Sequence, residues 1–254
     1  MSGADNYRCV LVPGNENLEA TIRGLPGNFE RTGDTLYKAR NVLKRYNWGQ
    51  KKVIVKSFAI PNWLNRFLYR WIRKSKAQRA FEHALELSTR GIATPSPIGY
   101  LECVNGFHLT RSFYAYEEWS ADFTLRDCLM NPDYPDRLGI LTALGEFAWQ
   151  MHQQQINFLD FSPGNILVRW KSSKSFCLVD INRMRFQTLS FQERMRTFSR
   201  LWANDGDLET IVVAYALVSG EDVDIAKALA IHYSETHKER SLRKEKIKSL
   251  LNLH

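Results

Sequence analysis

The sequence contains no uninterrupted apolar run of the ~18 residues that a membrane-spanning helix needs. Its first residues, MSGADNYRCV, lack the charged leader and the apolar stretch of a secretory signal. Cysteine is sparse as well, because the four residues are scattered with no pair at the spacing of a metal or redox site. These absences argue against a disulfide scaffold and an integral membrane protein. We therefore expect a cytoplasmic protein with buried, reduced thiols.

Positive charge is present in excess. The 254 residues carry 35 Lys and Arg against 27 Asp and Glu, which gives a net charge of +8. A surplus of this size suits anionic partners such as nucleotides, phosphorylated glycolipids, a membrane surface or nucleic acid, and it does not choose among them. The length accommodates one domain, or two lobes that share a cleft.

The order of the predicted elements indicates an α+β fold. Residues 1–30 are rich in glycine and proline and predict a loosely structured lead-in. Strand patterns dominate residues 31–118, whereas the pattern over residues 119–254 becomes mostly helical. We therefore predict a two-lobed protein with a β-rich N-lobe and a mostly α-helical C-lobe, joined near residues 117–122.

Three local patterns define the predicted N-lobe. Residues 36–44 and 51–58 read as two strands, with a hairpin turn at residues 47–50. Apolar residues recur at helical spacing over residues 75–90, and Gly91 is suited to end that helix. The N-lobe thus contains one helix among strands.

The most specific segment lies between the predicted helix that ends near Gln155 and the apolar strand that begins at Ile166. Asp160 is followed five residues later by Asn165, and a Pro-Gly pair tightens the loop between them. This arrangement predicts a carboxylate and an amide at the mouth of one cleft. In phosphoryl transfer, a carboxylate accepts the proton of the acceptor hydroxyl, and an amide oxygen ligates a metal ion on the phosphates.

Asp180 follows the apolar strand pattern of residues 176–179, fifteen residues after Asn165. A carboxylate at the end of a strand is well placed to hold Mg²⁺, which prefers one or two carboxylates together with phosphate and water oxygens. The structural alternative is an aspartate that caps the next turn, with Asp160 as an ordinary loop residue. We favour the metal site, because each element explains the position of the other.

Lys56 ends a run of three β-branched residues and precedes the helix over residues 75–90. A lone lysine on a strand is usually solvated. A strand lysine that is held by a helix glutamate and grips the α- and β-phosphates requires this order of elements.

These residues together resemble a known family. The protein-kinase-like fold has a similar order of functional residues, which here are Lys56, Glu82, Asp160, Asn165 and Asp180. Residues 75–95, the loop from Asp160 and the Val-Asp-Ile-Asn-Arg stretch around Asp180 resemble the bacterial lipopolysaccharide core kinases. The resemblance covers roughly residues 33–215. It implies ATP and Mg²⁺ as cofactors.

The resemblance also implies an acceptor and a location. The acceptor would be a hydroxyl of Kdo or heptose in the lipopolysaccharide inner core, carried on a membrane-anchored glycolipid. The protein would then act at the cytoplasmic face of the inner membrane, with peripheral contact to anionic lipid, and nucleic acid is not an expected partner. The resemblance makes Asp160 the catalytic base, Asn165 and Asp180 the metal ligands, and Lys56 the phosphate-binding lysine.

Two parts of the nucleotide site are less sharply defined. Glu82 is the first candidate for the helix partner of Lys56, and Glu86, one turn later on the same face, is the second. No G-x-G-x-x-G motif occurs near the predicted strands, and we place the phosphate-covering segment at Gly33 to Tyr37. The sequence also departs from protein kinases in having Phe-Leu before Asp160 and Ile-Asn after Asp180.

Residues 60–79 form a basic aromatic insert in the predicted N-lobe. Trp63, Phe67 and Trp71 repeat at four-residue spacing, with arginines mainly on the other side of the predicted helix. Such a helix fits an anionic membrane interface, and it equally fits an amphipathic helix packed on the small lobe with its basic face in water.

Two other functions compete with the leading one. An atypical protein kinase of the RIO kind would share the compact lobes and direct the basic surface to a protein or ribosomal RNA. A pseudokinase scaffold would bind nucleotide without catalysis, and the missing glycine-rich motif supports that reading. The presence of Asp160 together with Asn165 and Asp180 argues against a scaffold, since a scaffold needs no base.

Overall fold

The computed structural model describes residues 6–58, 74–105 and 108–251. The chain divides into two compact units. The first comprises Met1–Ser120 and Asp180–Asn182, and the second comprises Ala121–Val179 and Arg183–His254.

The first unit is built on a six-stranded antiparallel sheet with the strand order β1-β5-β6-β4-β3-β2. Its strands are β1 (Asn6–Leu11), β2 (Asp34–Lys38), β3 (Val42–Trp48), β4 (Lys51–Phe58), β5 (Pro97–Asn105) and β6 (His108–Glu117). Its α-helices are α1 (Glu19–Arg23), α2 (Leu25–Asn28) and α3 (Lys76–Thr89), and a 3-10 turn spans Glu16–Leu18.

The predicted lead-in is instead part of this sheet and its core. Residues 6–11 pair along the full length of β5, from Asn6 with Val104 to Leu11 with Gly99. Ile22 and Phe29 are fully buried in the cluster that covers one face of the sheet. Gly24 is the C-cap of α1 and Pro26 lies in the first turn of α2, and neither prevents the apolar residues around it from packing.

The predicted strand over residues 36–44 is a hairpin. Residues 39–41 form its turn, and β2 and β3 pair on either side with an irregularity between Thr35 and Tyr37. The turn predicted at residues 47–50 agrees with the structure, since Gly49 adopts a φ of +63° between β3 and β4.

The helix predicted over residues 75–90 is α3, and the side chain of Ser75 caps its first turn by accepting from the backbone N–H of Gln78 at 3.0 Å.

The second unit is mostly helical. Its α-helices are α4 (Leu125–Met130), α5 (Arg137–Gln153), α6 (Phe191–Thr197), α7 (Asp205–Ser219) and α8 (Val223–Leu251). Its strands are short: β7 (Phe123–Thr124), β8 (Ile156–Phe158), β9 (Ile166–Arg169), β10 (Ser175–Leu178) and β11 (Met184–Phe186). A strand-rich N-terminal part and a helical C-terminal part confirm the predicted α+β class.

Helices α5 and α7 form the centre of this unit. A Cβ at Gly145 of α5 would lie 2.2 Å from the carbonyl oxygen of Ile211 in α7, so only glycine permits this close approach. None of the helices in the described ranges is long and apolar enough to cross a membrane.

Candidate active site

The loop that carries Asp160 and Asn165 joins β8 to β9 in the second unit. Strand β8 pairs with β11, and the backbone N–H of Leu159 donates to the carbonyl of Arg183 at 3.1 Å. A 3-10 turn then covers Pro163–Asn165. The backbone N–H of Ser162 donates to the carbonyl of Asp160 at 2.6 Å, so the loop is closed on itself.

The amide of Asn165 is oriented by this loop. Its Nδ2 donates to the carbonyl oxygen of Asp160 at 3.0 Å. Because the nitrogen is committed to that bond, the amide oxygen Oδ1 points elsewhere and remains an acceptor. The spacing found in the sequence therefore has a physical basis: Asp160 supplies a carboxylate and, through its backbone, fixes the amide of Asn165.

The carboxylate of Asp160 faces an arginine. Nη1 of Arg183 lies 3.2 Å and 3.3 Å from its two oxygens. The side chain of Asp160 is 29 % exposed, which leaves it accessible to a substrate hydroxyl. A carboxylate in this position can accept a proton in general base catalysis.

Lys56 and Asp180 form an ion pair in the first unit. Nζ of Lys56 lies 2.7 Å from Oδ1 of Asp180, and the lysine side chain is only 8 % exposed. Lys56 lies on the sheet face opposite to that of Val55, because neighbouring residues of a strand point to opposite faces. Asp180 has a φ of 55°, an uncommon conformation for a non-glycine residue and one that recurs at functional sites.

The two glutamates proposed as partners of Lys56 are engaged elsewhere. Glu82 pairs with Nζ of Lys74 at 2.7 Å and accepts from Nε2 of Gln78 at 2.9 Å. Burial opposes its ionisation, but these two hydrogen bonds outweigh that cost and hold the pKa of Glu82 below its usual value. Glu86 pairs with Arg90 one turn later. A pair between Lys56 and either glutamate stays a prediction.

The structure adds a histidine that the sequence did not single out. Nδ1 of His83, in α3, lies 2.7 Å from the carbonyl oxygen of Ile181. Burial lowers the pKa of His83, which favours the neutral ring. This contact joins the segment that follows Asp180 to α3. It is made by the residue directly after Glu82, the first candidate for the partner of Lys56.

Gly33 precedes β2, and its conformation has a packing reason. It adopts a φ of +76°, and a Cβ there would lie 2.6 Å from the ring of Tyr46. The segment predicted to cover phosphate, Gly33 to Tyr37, lies largely in β2. The hairpin turn at residues 39–41 lies closer to the end of β4, since Val42 pairs with Ser57. Whether either segment covers phosphate stays a prediction.

The two residues predicted to bind metal, each taken separately, carry oxygens of the kind that a hard divalent cation binds. Mg²⁺ takes carboxylate and amide oxygens. Oδ1 of Asp180 is occupied by Lys56, and its second oxygen has no hydrogen-bond partner within residues 6–58, 74–105 and 108–251. Oδ1 of Asn165 is an acceptor whose direction is already set. Each of these two side chains thus offers an oxygen of the kind that Mg²⁺ binds.

The basic aromatic insert lies outside the described residues except for residues 74–79.

The fold is protein-kinase-like. The sequence model of the lipopolysaccharide kinase (Kdo/WaaP) family matches residues 28–209, and the chain belongs to this family. Kinases of this family act on sugar hydroxyls of the lipopolysaccharide core, so the protein is a phosphotransferase with an alcohol group as acceptor.

Two solved structures are similar to the chain. A structure of WaaP in complex with acyl carrier protein matches with a TM-score of 0.64 and 14 % sequence identity, over 91 % of this chain and 98 % of that one. A Stt7 homologue from Micromonas algae, soaked with ATP, matches with a TM-score of 0.42 and 13 % identity, over 60 % and 49 % of the two chains. The first of these supports the kinase-like fold. A comparison with curated protein sequences found no match.

Proposed function

We propose that the protein is an ATP- and Mg²⁺-dependent kinase that phosphorylates a hydroxyl of Kdo or heptose in the lipopolysaccharide inner core. The observation that carries the proposal is the loop of Asp160 and Asn165. Its internal hydrogen bond commits the amide nitrogen and leaves the amide oxygen for a metal ion, while the carboxylate stays accessible. A purely structural turn has no need of an accessible carboxylate beside an oriented amide.

Each residue then has a defined role. Lys56 binds the α- and β-phosphates, Asp180 and Asn165 supply oxygens to the metal ion, and Asp160 accepts the proton of the sugar hydroxyl. When bound, Mg²⁺ would neutralise the charge of the phosphates. The ion pair between Lys56 and Asp180 supports this assignment, since it brings the two side chains together at one place in the first unit.

The insert of residues 60–79 extends the proposal to the membrane. An acceptor carried on a glycolipid places the reaction at the cytoplasmic face of the inner membrane. A basic face with an aromatic edge would then dock the enzyme on anionic lipid headgroups.

One experiment tests the proposed function against its competitors. Labelled ATP is supplied with Mg²⁺ and one of three acceptors: purified inner-core glycolipid, a casein-like protein, or buffer alone. Transfer to the glycolipid supports the proposal. Transfer to casein alone would indicate an atypical protein kinase, and nucleotide binding without transfer to any acceptor would indicate a pseudokinase.

A further inference from the structure

Arg126 lies against the loop of Asp160 and Asn165. It belongs to α4, and its Nη2 is 2.7 Å from the place where a Cβ of Gly164 would stand. The guanidinium therefore rests on the Cα of Gly164, and any larger residue there would displace it. Gly164 has no left-handed backbone conformation that would explain its presence, so the room it leaves for Arg126 is its structural role.

The guanidinium of Arg126 is exposed and makes no hydrogen bond or ion pair with any residue in the described ranges. An arginine that packs on a loop usually does so to pair with a nearby carboxylate or carbonyl. Here the fork of N–H donors lies against Gly164 and has no such partner among the described residues. Its donors are therefore available to a ligand.

A second guanidinium lies at the other end of the same loop. Arg183 contacts Asp160 through a single terminal nitrogen and is 53 % exposed. Its other donors find no partner among residues 6–58, 74–105 and 108–251. Arg183 thus neutralises the carboxylate only from one side and retains donors for a second anionic group.

The two arginines contact the same loop, Arg126 at Gly164 and Arg183 at Asp160. They contact residues 160 and 164, whose Cα atoms are at most about 14 Å apart even in an extended chain. The internal hydrogen bonds of the loop shorten that distance. Arg183 pairs with the carboxylate of Asp160, whereas Arg126 has no carboxylate partner among the described residues, which leaves one uncompensated positive charge on this loop.

We propose that Arg126, with Arg183, binds a carboxylate or phosphate group of the acceptor sugar close to the hydroxyl that is phosphorylated. The inference rests on the proposed function and adds that the acceptor is anionic at this position. Guanidinium recognises both groups through paired hydrogen bonds, so the shared chemistry is a pair of anionic oxygens on one group. Arg126 is an acceptor-binding residue in this account, and Arg183 also orients Asp160.

The test uses the full-length chain and three forms of one delipidated inner-core oligosaccharide: native, carboxyl-reduced and dephosphorylated. For wild-type protein we expect the KM to rise about tenfold when the recognised group is neutralised. A higher KM for the carboxyl-reduced form would identify a carboxylate, and a higher KM for the dephosphorylated form would identify a phosphate. Arg126→Ala should raise the KM for the native acceptor about tenfold and leave the KM of the neutralised form nearly unchanged. Arg126→Lys should recover part of the loss, because it restores charge without the fork.

The matched control is Arg243→Ala, which removes an exposed arginine of α8 and the same unit of net charge. It should leave all three KM values unchanged. The KM for ATP should also be unaltered by Arg126→Ala. If Arg126→Ala raised the KM for ATP and not for the acceptor, the guanidinium would bind nucleotide, and the inference would be wrong.

Failure of the proposed function gives a different result. If the protein phosphorylates no core sugar, the proposed function is wrong. The inference is then tested separately, by measuring the affinity for the labelled native oligosaccharide. If wild type and Arg126→Ala bind that oligosaccharide with equal affinity, the inference is wrong. If Arg126→Ala binds it about tenfold more weakly, the inference holds. If wild type phosphorylates all three forms with equal KM, the proposed function stands and the anionic subsite does not.

Discussion

Nζ of Lys56 lies 2.7 Å from Oδ1 of Asp180, although the two residues are far apart in the sequence: Lys56 lies in β4 and Asp180 follows β10. The pair holds a nearly buried ammonium against a carboxylate that is still 35 % exposed. The second oxygen of that carboxylate therefore stays available to a metal ion, while the first is neutralised by the lysine.

From this arrangement we expect Mg²⁺-dependent binding of ATP that requires Asp180. The triphosphate carries several negative charges, and the metal ion must neutralise part of them for binding. Titration of ATP with and without Mg²⁺ should show that Asp180→Ala abolishes the advantage that the metal gives to wild type. Asp133→Ala, which removes an exposed loop carboxylate, is the control and should behave as wild type. Equal affinity of wild type and Asp180→Ala under both conditions would refute the metal site.

The local structure around the candidate site residues was predictable where the sequence pattern is local. Asp160 and Asn165 are close in the sequence, and the loop between them closes through backbone bonds that such a spacing permits. Asp180 follows an apolar strand that was predicted over residues 176–179. In the structure this strand is β10, Ser175–Leu178. For the same reason the α3 helix was predicted correctly, and Gly91 lies just beyond its end with a φ of +70°.

Contacts between distant segments were not predictable. His83 and Ile181 are 98 residues apart, and no pattern in either segment points to the other. The packing of Arg126 on Gly164 depends in the same way on how α4 lies beside the loop. The lead-in was misjudged because the pairing of β1 with β5 decides its structure, and glycine and proline content does not report such pairing.

We expect Asp160→Asn to abolish phosphate transfer while ATP affinity changes little. The substitution keeps the size of the side chain and its place beside Arg183, but the amide cannot accept the hydroxyl proton. Transfer to core glycolipid and binding of ATP should be measured on the same preparation. Retention of more than about a tenth of wild-type turnover would mean that another group is the base.

The basic aromatic insert should contribute to activity only on membrane-bound acceptor. Arg70→Glu with Arg73→Glu should weaken binding to anionic vesicles, because each cation near such a surface contributes about 1 kcal/mol. Activity on vesicle-embedded glycolipid should fall with it, and both effects should diminish at high salt. Activity on the delipidated core sugar should be nearly unchanged, since the catalytic residues are untouched.

A matched charge reversal controls for the change in net charge. Lys171→Glu with Lys174→Glu alters two exposed lysines between β9 and β10 by the same amount. This variant should bind vesicles as wild type does. Equal loss of activity on soluble and embedded acceptor in the insert variant would indicate a structural role. Unchanged vesicle binding would indicate a solvated basic surface.

Gly145→Ala should destabilise the second unit. The added methyl would meet the carbonyl oxygen of Ile211 at 2.2 Å, and backbone of α7 cannot move aside as a side chain could. We expect a loss of about 1–3 kcal/mol in the free energy of unfolding, measured by urea titration. Gly206→Ala, where the nearest atom is 3.5 Å away, is the control. It should be neutral or stabilising, because alanine favours a helix over glycine by up to about 1 kcal/mol.

His152 should make stability depend on pH. It is buried in α5, its Nδ1 lies 3.1 Å from the hydroxyl of Tyr215, and Nη1 of Arg194 lies 3.3 Å from the same hydroxyl. Burial, reinforced by the charge of Arg194, lowers the pKa of His152 to about 3. Protonation is therefore disfavoured in the folded state and occurs near pH 6.5 in the unfolded chain.

The sign of the effect follows from these two values. The contribution of His152 to stability is fully present above about pH 6.5 and is lost as the pH falls towards 3, because the unfolded state then binds the extra proton. Relative to pH 7, the loss at pH 5 should be about 2 kcal/mol. His152→Gln removes the titrating group and keeps a hydrogen-bonding side chain, so it should lack this part of the pH dependence. Urea unfolding of both proteins at pH 7 and pH 5 measures the difference, and parallel losses in the two would show that His152 is not responsible.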